Sequence, residues 1–282
     1  MTTDELRPHP LNGDFTWTDR TGVPGSLSAD EVAAFDHDGF FVLRGALTPE
    51  QVADVTAAID PFEVAGEEEL RRHGGTFLIA RADEITFTTH LVARSATLRR
   101  FVAAEPFQGI VRDLIGPDVR LYWDQAVYKK PDTEALFPWH QDNGYAFIDP
   151  QQYVTCWVPL VDATVDNGCP WALPTVHRLG TLDHRVTPLG LACVDAPPGA
   201  VPVPARAGDI VVFSSLTPHS TGPNRTADVR KAYIVQYAPD GAAVLGFAPD
   251  GAPAAVPTRT PADDPARQFP VLRGGRPVDV EG

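Results

Sequence analysis

The stretch FPWHQDNGY, Phe137 to Tyr145, sets a histidine and an aspartate two residues apart among three aromatic rings. In an extended strand residues i and i+2 share a face, so His140 and Asp142 project together while Gln141 points away. A third metal ligand must come from elsewhere, and His219 in SSLTPHSTGPNRT follows an apolar strand over 209–216, where a strand end meets a cavity mouth. Two imidazoles and one carboxylate on one face of an octahedron leave three positions open, a donor set suited to iron(II). Alone, His-x-Asp is also an ordinary polar turn, and only its surroundings decide between the two.

Those surroundings include Arg230, eleven residues after His219 and at the start of the alternating run RKAYIVQY. If TGPNRTAD is a hairpin turn, the strand carrying Arg230 returns antiparallel beside the one that delivers His219. A guanidinium beside a metal centre suits an anionic co-substrate. Asn143 and Tyr145 fall nearest a substrate, whereas Phe137 and Trp139 read as core. In YVTCWVPL, Thr155 and Trp157 alternate onto the barrel interior. A lone loop histidine such as His177 is most simply structural, and nothing in the sequence assigns His90 or His184. Asn167 with Gly168 forms a turn, and Asn224 shapes the hairpin.

The elements that must position these residues begin after an arm over 1–27 rich in Pro, Gly, Asp and Thr. Ser28 with Glu31 makes a capping box for a short helix ending near Gly39, followed by a strand from Phe40 to Leu43. Thr48 caps a second helix with Pro49 in its first turn. A charged, Gly-containing stretch over 67–75 follows, and its GEEELRRHGG run reads as a solvated helix or loop. A further helix is expected over 95–115, closed by Gly116 and Pro117. From there short runs rich in β-branched and aromatic residues, each bounded by Pro, Gly, Asp or Asn, predict a sandwich or jelly roll. One domain spans 28–238, and 239–282, heavy in Ala, Pro and Gly, is a loose arm or a lid.

Composition narrows the partners. The net charge of −14, from 23 basic and 37 acidic residues, has the wrong sign for a nucleic-acid or anionic-membrane surface and favours a small molecule. Three cysteines without a Cys-x-x-Cys pair suggest buried thiols in a reducing cytoplasm rather than a disulfide framework or a thiolate metal site. The first residues lack the apolar run of a signal peptide, and no segment approaches a membrane span. Oligomeric state is left open.

The ordered set WHQD, VTCWVPLVDATVDNGCPWALPTVHRLG and GDIVVFSSLTPHSTGPNRTADVRKAYIVQY resembles the phytanoyl-CoA dioxygenase family of Fe(II)/2-oxoglutarate oxygenases, from DGFFVLRG to about Ala238. The resemblance implies a mainly β fold, a double-stranded β-helix of the cupin type with helices packed on one sheet. It implies iron held by His140, Asp142 and His219, with Arg230 on the distal carboxylate of 2-oxoglutarate. The family's lysine falls on Lys129, with Lys130 before Pro131 as a competitor. Thr155 and Thr221 are placed against the same co-substrate, and Trp157 against substrate. The reaction implied spends O2 and 2-oxoglutarate, releases succinate and CO2, and oxidises a C–H bond. Halogenating relatives carry Gly or Ala in place of the carboxylate ligand; Asp142 therefore favours hydroxylation or a related oxidation. A cupin-type metal isomerase or hydrolase, or a non-catalytic binding barrel, would leave Arg230 unexplained.

Overall fold

The computed structural model describes residues 6–20, 25–134, 136–246 and 257–280. In chain order its elements are α1 (Ala29–Asp38), β1 (Phe40–Leu43), α2 (Pro49–Arg72), β2 (Thr76–Phe77), β3 (Ala80–Arg81), β4 (Ile85–Thr89), α3 (Ala96–Val102), α4 (Phe107–Leu114), β5 (Val119–Lys129), β6 (Phe137–His140) and β7 (Phe147–Asp149). They continue with β8 (Val154–Pro159), β9 (Pro170–Ala172), β10 (Arg185–Thr187), β11 (Gly190–Ala192), β12 (Val201–Pro202), β13 (Ile210–Ser214), β14 (His219–Thr221), β15 (Arg230–Pro239), β16 (Ala243–Gly246), β17 (Thr258–Pro261), β18 (Pro270–Arg273) and β19 (Arg276–Pro277).

The caps act as the sequence predicts. Ser28 and Glu31 close a capping box on α1, which stops at Gly39 with φ of 87°, and Thr48 does the same for α2 with Gln51. Two helical boundaries become definite only in the structure. α2 runs through Pro61 to Arg72, so the acidic run is its last turns. Burial of Val55, Ile59 and Leu70 on either side of the proline offsets the lost backbone hydrogen bond. Conversely, the helix expected over 95–115 is two, α3 and α4. Pro106 cannot donate a backbone hydrogen bond and pushes Glu105 out of the helical region.

The large sheet runs β1-β13-β8-β15-β5-β4-β3-β2, with β18 also on β5; a smaller sheet runs β12-β9-β14-β6. Residues of both line one cavity between them, the jelly-roll arrangement. Alternation along the strands divides the large sheet's faces. Val154, Cys156 and Val158 of β8 and Tyr233, Val235 and Tyr237 of β15 pack outward against Phe35, Ile59, Leu98 and Phe107 of the four helices. Trp157, Ala232 and Ile234 point inward with Phe213. β8 is buried at every position, which is why its sequence reads as a nearly unbroken apolar run.

The segment after Ala238 is not a loose arm where it is described: β16 pairs with β7 and β17, and β18 pairs with β5. Arg120 ties it further, donating from Nε to Asp240 at 2.7 Å and from Nη1 to the Gln268 carbonyl at 2.9 Å. Residues 247–256 of the expected lid, and 1–5 and 21–24 of the expected arm, lie outside the described residues.

Candidate active site

β6 and β14 are antiparallel neighbours with His140 directly opposite His219, so the cross-strand pair itself brings the two rings together, their centroids 4.1 Å apart. Each Nδ1 lies against a backbone carbonyl, which only accepts: that of Pro138 for His140 at 2.8 Å and that of Thr217 for His219 at 3.0 Å. Nδ1 therefore carries the proton, and each Nε2 presents its lone pair to the cavity. Burial, with His219 alongside, holds the His140 imidazole well below its ordinary pKa and so neutral.

Asp142 lies just past the end of β6, in the turn formed by Asp142–Gly144. Its Oδ1 stands 3.9 Å from Nε2 of His140 and 3.8 Å from Nε2 of His219. Together the three residues offer ligand atoms within 4.8 Å of one another. Gln141 turns the other way, as the strand argument requires, and is consumed by the scaffold. Its Nε2 donates to the carbonyls of Gly180 and Leu216, and its Oε1 accepts from the Leu182 backbone.

The cavity has a volume of about 530 Å³, and Arg230 opens onto it. This guanidinium is 1% exposed and donates from Nη1 to the Val127 carbonyl at 3.3 Å. Its Nε and Nη2 have no partner, and no carboxylate pairs with it among the described residues. It lies over the Trp157 ring, 5.5 Å from the centroid. Burial draws its pKa down to about 10, leaving it a cation at neutral pH. The connection to His219 is not the expected hairpin: β15 pairs with β5 and β8, and β14 with β6 and β9, so residues 222–229 cross from one sheet to the other. Asn224 steers that crossing by donating to the carbonyls of Lys129, Lys130 and Asp228.

The other expected site residues divide. Tyr145, Trp157 and Thr221 line the cavity. Asn143 does not: its amide donates to Thr181 Oγ1 at 2.7 Å and its Oδ1 accepts from the Ile148 backbone, because the turn after Asp142 rotates it into the scaffold. Thr155 faces inward, but its hydroxyl donates to Asp142 Oδ2 at 2.5 Å, so what it orients is the carboxylate. Lys129, opposite Arg230 across β5 and β15, lies fully buried and donates to Thr221 Oγ1 and to the Thr221 and Gly222 carbonyls. Burial, with Arg230 adjacent, lowers its pKa to about 6. Lys130 is instead paired with Glu63 and Glu67 of α2. His177 is structural, its ring edge-on to Trp17 at 4.4 Å.

Two contributions had no clear sequence signal. His184 accepts from the Gln141 backbone N–H, between the two ligands, and its ring fills the space where a Cβ on Gly144 would stand, 2.1 Å away. Gln125 and Gln236 also line the cavity; alternation with Trp123 and with Ile234 would have put them on its face.

The donor set meets the demands of iron(II): two imidazoles whose Nδ1 atoms are held by backbone carbonyls, one oriented carboxylate, and an open side facing a largely apolar cavity with a buried cation awaiting an anion. Comparison with known proteins agrees. The family model described as Phytanoyl-CoA dioxygenase (PhyH) matches residues 35–232. A phytanoyl-CoA dioxygenase of Arabidopsis thaliana is 27% identical, over 75% of this chain and 89% of that protein. A methylphosphonate hydroxylase of Gimesia maris is 29% identical over 53% of this chain, which spans only 57% of that protein. In three dimensions the chain resembles the non-heme alpha ketoglutarate dependent carbocyclase SnoK from nogalamycin biosynthesis, with TM-score 0.63, 22% identity, and coverage of 93% of this chain and 98% of that one. The chain belongs to the phytanoyl-CoA dioxygenase family, and is an iron(II)- and 2-oxoglutarate-dependent dioxygenase with the cupin-type jelly roll.

Proposed function

We propose that this enzyme hydroxylates a C–H bond of a free small molecule, using His140, Asp142 and His219 as iron ligands and Arg230 as the grip on the distal carboxylate of 2-oxoglutarate. The observation that carries the reading is the Arg230 guanidinium, buried on the cavity wall with two nitrogens unpartnered among the described residues. A buried charge is retained only where a counter-charge offsets its desolvation, and a carboxylate matches the planar fork. The bound iron would supply the oxidising chemistry. The protein's own part is to fix Nδ1–H on both imidazoles, steer Asp142 through Thr155, and keep water from the site with Phe137, Trp157 and Phe213. Lys129 holds Thr221 and Gly222 at the Arg230 end. A zinc hydrolase or a simple binding barrel would have no use for that cation. Three buried free cysteines support a cytoplasmic enzyme.

Titration of 2-oxoglutarate into the anaerobic Fe(II) protein tests this. Loss of a buried hydrogen-bonded charge partner costs about 2–5 kcal/mol, so Arg230→Ala weakens 2-oxoglutarate binding by about 30-fold to several thousand-fold. Arg230→Lys recovers part of it. Arg225, exposed and 3.5 Å from Glu134, is the control. If Arg230→Ala binds 2-oxoglutarate like the wild type, the assignment fails.

A further inference from the structure

The register of the large sheet lays its inward side chains out in rows, and two of those rows carry amides with nothing to bond. Gln125 sits opposite Thr89 on β4 and opposite Ile234 on β15. Gln236, two residues further along β15, sits opposite Thr155, whose hydroxyl holds Asp142. Both amides open onto the cavity without a hydrogen-bond partner among the described residues, although Gln236 is only 6% exposed. Tyr122 and Tyr153 also line it, and their hydroxyls likewise have no hydrogen-bond partner among the described residues. These four polar groups face one space and are open to it rather than sealed in the protein, which places them where a ligand's polar atoms can be met.

That space is not the 2-oxoglutarate end. Gln236 lies six residues beyond Arg230 on one extended strand, a backbone separation of about 20 Å at the usual rise, so its amide stands past the metal end of the diacid and not beside the guanidinium. Between and around these amides the wall is apolar and largely aromatic. Among the described residues that line the cavity, only Asp142 and Arg230 carry a formal charge, and both are committed in the reading above, on which this inference rests. At the mouth, the β2–β3 hairpin presents Phe77 and Leu78 at 68% and 78% exposure, with both residues also lining the cavity. A charged substrate group would lose its water here and meet no counter-charge among the described residues.

We propose that the substrate is a neutral molecule with an apolar, ring-bearing body and at least one hydroxyl or carbonyl oxygen, which Gln236 binds beside the metal with Gln125 and Tyr153 completing the contact. The body lies along the aromatic wall and is covered at the mouth by Phe77 and Leu78. Phosphonates, zwitterionic amino-acid derivatives and acyl-CoA thioesters are the wrong class for this cavity.

The test uses the anaerobic Fe(II)·2-oxoglutarate protein and its visible iron–keto acid absorption band. Testosterone and naringenin serve as neutral probes; methylphosphonate, ectoine and hexadecanoyl-CoA serve as charged ones. The neutral probes are expected to shift the band saturably and, on admission of oxygen, to raise succinate release several-fold, while the charged probes at millimolar concentration do neither. Gln236→Leu should weaken neutral-probe binding about tenfold, the value of one buried hydrogen bond. Its 2-oxoglutarate affinity should stay at the wild-type value, which also shows that the variant is folded. Three results overturn the inference: charged probes act and neutral ones do not, no neutral probe shifts the band, or Gln236→Leu binds the neutral probes as the wild type does. If the wild type forms no band with 2-oxoglutarate, the oxygenase reading itself fails and this inference with it.

Discussion

Replacing Thr155 by valine removes one hydroxyl from a fully buried position and keeps the shape of the side chain. That hydroxyl donates to Asp142 Oδ2 at 2.5 Å, and the bond sets which way Oδ1 faces, toward the Nε2 atoms of His140 and His219. A hydrogen bond to a charged group contributes about 1.5–3 kcal/mol, and valine would strand a carboxylate oxygen without a partner. At 1.4 kcal/mol per tenfold, iron affinity should fall about 10- to 100-fold, the usual range for a residue that orients a ligand. Thr155→Ser keeps the hydroxyl and should stay close to the wild type. Anaerobic Fe(II) titration against a competing chelator reads the effect, with thermal unfolding as the check on folding. Wild-type iron affinity in Thr155→Val would refute the reasoning. Intact iron binding with weakened 2-oxoglutarate binding would return Thr155 to the co-substrate role read from its sequence position.

Gly144→Ala drives a methyl group into the His184 ring; overpacking of this kind costs about 1–3 kcal/mol, and displacement of His184 from the Gln141 backbone should lower iron affinity as well, measured by the same titration. Glu63→Ala leaves the Thr88 hydroxyl without its acceptor and the Thr86 hydroxyl with only the Tyr128 carbonyl at 3.4 Å, while Lys130 keeps Glu67; urea unfolding should show a loss of about 1–3 kcal/mol with iron binding unchanged. His177 is held by burial near pKa 4 against an ordinary 6.5. The unfolded chain therefore takes up a proton first on acidification, and stability falls as pH drops from 6.5 toward about 4, by at most roughly 3 kcal/mol. His177→Gln should flatten the pH dependence of urea unfolding across that window.

Local chemistry was legible in the sequence. Ser28, Thr48 and Gly39 act within one helical turn of where they stand, so their roles need no tertiary information. The two-residue period that separates His140 from Gln141, and Thr155 from Cys156, likewise survives in the structure as cavity side against scaffold or helix side. What the period could not convey is which strand lies beside which. Arg230 reaches the cavity from the large sheet and His219 from the small one, a crossover that a turn-like TGPNRTAD does not reveal. Thr155 acquires Asp142 as a partner, and Gln236 acquires Thr155 as a neighbour, only through register set by distant strands. Asn143 adjoins Asp142 in sequence, yet its amide faces the scaffold as that of Gln141 does. α2 continues through Pro61 into the acidic run because buried apolar contacts outweigh the proline.

The central claim is that His140, Asp142 and His219 hold an iron that turns over 2-oxoglutarate in this cavity. Succinate formation measures it most directly, in wild type and in His140→Ala, Asp142→Ala and His219→Ala, each supplied with Fe(II), 2-oxoglutarate and oxygen. The account predicts iron-dependent succinate from the wild type and none above background from the three variants, with their thermal unfolding still cooperative. Succinate at the wild-type rate from any folded variant, or none from the iron-loaded wild type, would contradict it.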